Sequence, residues 1–184
     1  MKFSFLILFF WIFLVGDNLV QGQTTTWKEF SSKDGNLKVL LPGIPTDVTA
    51  SGSPNELRST EFELQTDYIL YKLGFSKVPI SPKSDDGSVM KGFWDKYIAN
   101  MEKTEGVKVM SQTDFQVGGV FGREVVMDNG EFVLVNRYIA RNYYFYTLIT
   151  MTYKENNKNP AIEKTRRKYL DSFGFVTGES KPKP

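Results

Sequence analysis

Glu61 and Glu63 stand two residues apart in a stretch that alternates polar and apolar side chains, Glu61-Phe62-Glu63-Leu64. On a strand that spacing puts both carboxylates on one side, with Cα atoms ~6.5–7 Å apart. Carboxyl groups ~5–9.5 Å apart are what glycoside hydrolysis uses. A charged, solvated strand face accounts for the same spacing with fewer assumptions, so the pair alone defines no active site. The rest of the inventory is narrower. The 184-residue chain contains no histidine and no cysteine. It therefore lacks the usual general base near neutral pH, the imidazole and thiolate metal ligands, and any Ser-His or Cys-His nucleophile. Any metal would have to be a hard, oxygen-bound ion. Asp85-Asp86-Gly87 and Asp128-Asn129-Gly130 gather acids, but neither runs on into an alternating oxygen-ligand loop with a distal glutamate. The first reads as a helix start, where carboxylates meet the positive end of the dipole; the second reads as a turn. Gly118-Gly119-Val120-Phe121-Gly122 has the wrong spacing for a dinucleotide fingerprint and leads into a strand rather than a helix. Lys83-Ser84 could form a Ser-Lys dyad, but no surrounding motif supports one. No catalytic residue, metal or cofactor is expected.

Two features point to binding instead. Lys164, Arg166, Arg167 and Lys168 give a C-terminal helix a basic face. Such a face would suit an anionic membrane surface or an acidic partner, although a solvated helix face, whose positive charges also suit the C-terminal half of a helix, is the simpler account. The second feature is aromatic density. Tyr143-Tyr144-Phe145-Tyr146 places rings on both sides of one strand, with Tyr138 on its neighbour. If both faces are covered, as in a sandwich, these rings are core. If one face is open, Trp94, Tyr138, Tyr144 and Tyr146 form a contact patch suited to sugar, lipid or protein.

The elements that must position these residues follow from periodicity and punctuation. Trp27–Ser31 and Leu37–Leu41 read as strands around the turn Lys33-Asp34-Gly35-Asn36, stopped by Pro42-Gly43 and Pro45. Glu56–Asp67 alternates as a half-buried strand, and Tyr68–Lys77 returns beside it. From Asp85 to Lys103 the period lengthens: Met90, Phe93, Trp94, Tyr97 and Met101 mark one helix face, with Gly106 as its stop. Strands are expected over Val107–Val117, Val120–Met127, Glu131–Arg141 and Tyr143–Thr152. Asp128-Asn129-Gly130 is the strongest hairpin signal among them, since Asn-Gly tolerates the positive φ of a type I′ turn. The last helix has Asn159 as cap, Pro160 at its first position, a stripe of Ile162, Tyr169, Leu170 and Phe173, and Gly174 as stop. The expected fold is α+β: a mostly antiparallel sheet of six to eight strands with two amphipathic helices packed on it.

The chain opens with Lys2 and then an apolar run from Phe3 to Gly16, about 14 residues. That is short for a ~30 Å hydrocarbon core and right for the hydrophobic region of a secretory signal. Val20-Gln21-Gly22 offers small residues for cleavage, so residues 1–22 are expected to be a signal peptide, with an uncleaved anchor as the alternative. Residues 23–177 are then one domain and 178–184 a disordered tail. The protein is expected to be exported, periplasmic or extracellular, with no integral membrane segment once the signal is cleaved. Without cysteine it stands without disulfides and cannot be lipidated there. A net charge of +2 is too small to imply nucleic acid.

Three motifs then carry a resemblance. They are Trp27-Lys28-Glu29-Phe30-Ser31-Ser32 with Asp34-Gly35 and Leu37-Lys38-Val39-Leu40-Leu41-Pro42-Gly43-Ile44-Pro45; Gly119-Val120-Phe121-Gly122-Arg123-Glu124-Val125 leading on to Arg137; and Tyr146-Thr147-Leu148 followed by Tyr169-Leu170-Asp171-Ser172-Phe173. In that order the chain resembles bacterial exported proteins of PsbP-like type, relatives in fold of the extrinsic PsbP subunit of photosystem II. The resemblance implies an α/β/α sandwich around an antiparallel sheet. It implies no activity and no functional residue, since fold does not carry function. The expected role is a non-catalytic binding or accessory protein whose partner is a protein, a glycan or an apolar ligand. A carboxylate-based hydrolase and a carrier of an apolar ligand are the alternatives. A buried acid pair in a cleft, a closed apolar cavity and an exposed aromatic patch would separate the three.

Overall fold

A computed structural model describes residues 26–49, 59–78 and 87–176. The expected signal peptide, the 178–184 tail, Lys83-Ser84 and Asp85-Asp86 lie outside the described residues. The fold is α+β. Among the described residues, ten strands and two α-helices run in the order β1 (Lys28–Ser32), β2 (Leu37–Leu41), β3 (Thr46–Asp47), β4 (Ser59–Gln65), β5 (Leu70–Lys77), α1 (Gly87–Glu105), β6 (Lys108–Val117), β7 (Val120–Asp128), β8 (Phe132–Arg141), β9 (Tyr144–Tyr153), α2 (Pro160–Asp171) and β10 (Gly174–Phe175).

Seven strands form one antiparallel sheet in the order β3-β4-β5-β9-β8-β7-β6. β6 to β9 are a meander, each pairing with the next. β5 pairs with β9 from Leu70↔Met151 to Lys77↔Tyr144. The chain therefore leaves β5 in mid-sheet and re-enters at the far edge, and α1 is the crossover. The sequence reading put all strands in a single sheet. Instead β1 and β2 pair with the two-residue β10 in a second, three-stranded sheet. Gly174 belongs to that short strand rather than stopping α2. The helix ends one step earlier, where the Ser172 hydroxyl donates to Tyr169 O (2.7 Å) and accepts from Leu40 N (2.8 Å).

The large sheet carries a core on each face. On one face α2 and the small sheet bury Ile162, Tyr169, Leu170 and Phe173 with Leu37, Val39 and Leu41 against Tyr71, Leu73, Ile139, Tyr146 and Leu148. On the other, Met90, Trp94 and Ile98 of α1 meet Val125, Met127, Tyr138 and Ala140. The centre of the α1 stripe thus follows the i, i+4, i+8 line. Phe93, placed in the stripe by sequence, is 47% exposed, and Ile98 replaces it. Fully burying one such aliphatic side chain stabilises the fold by about 1.5–3 kcal/mol. An ion-pair clamp adds to the α1 contact: Arg123, buried on β7, donates from Nη1 to Asp95 of α1 (2.8 Å) and to Gln112 of β6 (2.7 Å).

Turn chemistry differs from expectation in one place. Only Gly130 of the Asn129-Gly130 pair has positive φ (97°). This connection is held by Asp128 and Asn129 side chains accepting from Gly130 N (2.7 Å) and Phe132 N (2.8 Å). Two consecutive positive-φ residues, which a two-residue type I′ loop demands, occur instead at Gly118-Gly119 and at Asn142-Tyr143.

Candidate functional site

The acid pair lies on an open strand face. Glu61 is exposed and accepts from the Ser59 hydroxyl (3.0 Å). Glu63 is bridged to Lys72 of the neighbouring strand (3.0 Å). Neither carboxylate lines the grooves described below, and the cross-strand pairing matches charges blunting a solvated face.

The four aromatic residues nominated as a patch do not share a surface. Trp94 (0% exposed) stacks on Tyr138 under α1, with ring centroids 5.6 Å apart. Tyr146 is buried on the opposite face, edge-on to Phe173 and Phe175. Half-buried Tyr144 stacks beside Tyr146. Both faces of β8 and β9 are covered where Tyr138, Tyr144 and Tyr146 lie, so strand alternation sends these rings into two separate cores.

The basic face of α2 is also reorganised. At helical period Arg166 falls within the apolar stripe, and it is buried. It donates to Glu163 (2.6 Å), Asn157 (2.9 Å) and Thr152 (3.1 Å). Arg167 donates to Glu124 (2.8 Å) and Glu163 (2.7 Å). Lys168 lies over the Trp27 ring at 4.6 Å. Two of the four cations are thus spent on carboxylates of the fold itself.

Glu124 on β7 is the hub of that network. It accepts from Arg137 of β8 (2.7 Å) as well as Arg167. Arg137 also donates to Leu170 O (2.6 Å) and Asp171 (2.6 Å) and covers the Phe115 ring at 4.7 Å. Burial pushes the Glu124 carboxyl pKa up, but hydrogen bonds and charge from Arg167 and Arg137 outweigh it and hold it below the ordinary value. The residues of the second and third sequence motifs therefore meet as the tie that docks α2 on the sheet. Beside this tie a gap of about 190 Å³ opens between sheet and helix, lined by Phe115, Val117, Arg137, Leu170 and Phe173 among others. Every Arg137 nitrogen there already has a protein partner.

A different cluster keeps its aromatic surface free. At the end of the sheet where β4 turns into β5, β9 ends and β8 begins, a groove of about 220 Å³ is lined by Gln65, Asp67, Tyr68, Phe132, Met151 and Tyr153, with Leu70 also contributing. Phe132 and Tyr153 are paired across β8 and β9, and their rings lie 4.7 Å apart. Tyr68 is 58% exposed and Tyr153 48%. The turn that carries Tyr68 is fixed by the Thr66 hydroxyl, which accepts from Ile69 N (3.1 Å) and donates to Ile69 O (2.9 Å). The Gln65 amide donates to Thr66 O (2.5 Å), leaving its carbonyl to accept. None of the α1 core residues lies on β4 or β5, so α1 leaves this end uncovered. Sequence reasoning missed this groove because Tyr68, Phe132 and Tyr153 sit at element ends, where periodicity is weakest. The available signal was register: a two-residue loop at Asn142-Tyr143 pairs position 132 with 153.

No helix among the described residues is long and apolar enough to cross a membrane. No family model and no curated protein matches the chain. Among solved structures it is similar to cyanobacterial PsbP (CyanoP) from Synechocystis sp. PCC 6803, with a TM-score of 0.60 at 10% identity, over 84% of this chain and 95% of that one. A protein of unknown function from Pseudomonas aeruginosa, PA94, is matched at a TM-score of 0.44 and 12% identity, over 85% of this chain and 99% of that one. The likeness to the cyanobacterial protein establishes that the chain has a PsbP-like fold.

Proposed function

We propose that this chain is an exported, non-catalytic accessory protein that works by binding, through the groove at Tyr68, Phe132 and Tyr153. The observation that carries the reading is the contrast in how rings are used. Most of the large aromatics are absorbed into two cores, and of the four rings left exposed among the described residues (Tyr68, Phe93, Tyr143 and Tyr153) Tyr68 and Tyr153 share a groove. Exposed, rigid rings at a concave site are costly to leave in water and are the usual anchors of recognition. A hydrolase would need Glu61 and Glu63 in a water-excluding cleft, and both lie on an open face. A carrier of a long apolar ligand would need more room than the gap beside Arg137 offers.

The test is capture from the producing cell with a C-terminally tagged protein. The protein should be recovered outside the cytoplasm with its N-terminus near Gln23, holding a ligand or partner that the Tyr68→Ala/Tyr153→Ala double variant no longer retains. Recovery in the cytoplasm, or an intact Met1 terminus in membranes, would replace the exported reading.

A further inference from the structure

We infer that the groove bounded by Tyr68, Phe132 and Tyr153 takes a ring of a neutral glycan. The inference rests on the reading of the chain as a binder and adds the chemistry of what is bound. A sugar ring has two chemical aspects: C–H faces that stack on aromatic surfaces, and a rim of hydroxyls that needs donors and acceptors. The groove offers both. Phe132 and Tyr153 are held together as a tilted pair (37° between planes) at the paired ends of two strands, so their orientation is set by the sheet. Tyr68 rises from the β4–β5 turn, more than half exposed. At the same site stand the Gln65 amide and the Asp67 carboxylate, with the Tyr hydroxyls as further donors and acceptors.

Two features weigh against other occupants. No lysine or arginine among the described residues lines the groove, which does not suit phosphate, sulfate or an acidic peptide. A site of about 220 Å³ that opens to solvent also suits one ring of a longer chain better than a fully enclosed small molecule.

The experiment is an amide-resolved NMR titration of the purified protein with maltotriose, cellotriose and triacetylchitotriose. One of these should produce saturable shifts confined to Gln65–Leu70, Phe132 and Met151–Tyr153. Tyr68→Ala and Tyr153→Ala should each weaken that binding up to about tenfold, the scale of one aromatic contact. Tyr68→Phe, which keeps the ring, should retain most of it. Tyr143→Asn, at the opposite end of β9, should leave it unchanged. Absence of saturable shifts with all three sugars, or shifts that map elsewhere, would overturn the glycan assignment. Loss of a captured protein partner in the Tyr68→Ala/Tyr153→Ala variant, with no sugar response, would also overturn it while leaving the accessory reading in place.

Discussion

At the scale of single residues, Glu124 and Arg166 show how environment decides the meaning of a charge. Glu124 receives hydrogen bonds from two arginines, and its carboxyl holds its proton less tightly than the ordinary 4.5. The unfolded chain therefore binds more protons in the acid range. The stability this carboxylate contributes is full above about pH 5 and is lost as the pH falls through the folded value. Glu124→Gln should cost about 1.5–3 kcal/mol at neutral pH, the scale of a charge-assisted hydrogen bond. The gap between variant and parent should narrow as acid protonates the parent's carboxyl. Denaturant unfolding across a pH series checks both statements, and a pH-independent gap would contradict them. Arg166 was legible as basic but not as buried. Its position on the inner stripe of α2 follows from helical period, and Glu163 one turn back pairs with it, but the Thr152 and Asn157 partners that complete its burial come near only in the folded chain.

At the scale of elements, the two helices dock differently. α2 is anchored at many points: its Tyr169 hydroxyl donates to Lys72 O (2.7 Å) and its ring meets Tyr71 edge-on at 5.2 Å. Tyr169→Ala or Phe173→Ala should destabilise by about 3–5 kcal/mol, and an unmoved thermal midpoint would refute this docking. Within β7, Gly122 lets the Phe115 ring lie across the strand. A Cβ there would come within 2.5 Å of the ring, which Arg137 holds from the other side. Gly122→Ala should therefore cost about 1–3 kcal/mol by overpacking, and Phe115→Leu should relieve part of that loss in the double variant. Most elements could be read from local pattern. The Met90–Met101 and Ile162–Phe173 stripes, the Asn159-Pro160 start and the Gly106 stop are all chemistry of neighbours in the chain. The Asn159 side chain accepts from Ala161 N (2.9 Å), and Gly106 has φ +64° just past α1. β10 was not legible, because two residues carry no period and Gly174-Phe175 pairs only because β2 is there to receive it.

At the scale of the whole molecule, the PsbP-like fold frames the rest. A seven-stranded antiparallel sheet with α1 on one face, and α2 with a small sheet on the other, leaves little ring surface exposed. That is why the aromatic patch expected at Trp94, Tyr138, Tyr144 and Tyr146 resolves into two cores, while the rings left exposed among the described residues are Phe93 on α1, Tyr143 at the β8–β9 loop, and Tyr68 and Tyr153 together at the other end of the sheet. Tyr68→Ala and Tyr153→Ala should accordingly leave the unfolding free energy within about 0.5 kcal/mol of the parent, as surface substitutions do, while altering what the protein captures. The sequence by itself determined the element types, the α+β class and the exclusion of histidine- and cysteine-based chemistry, because composition and periodicity are local properties. Only the tertiary structure decided which sheet the first hairpin joins, which face each ring enters, which arginines are buried and where aromatic surface remains exposed. Those outcomes depend on register and crossover, which bring together residues far apart in the chain, and no local pattern encodes them.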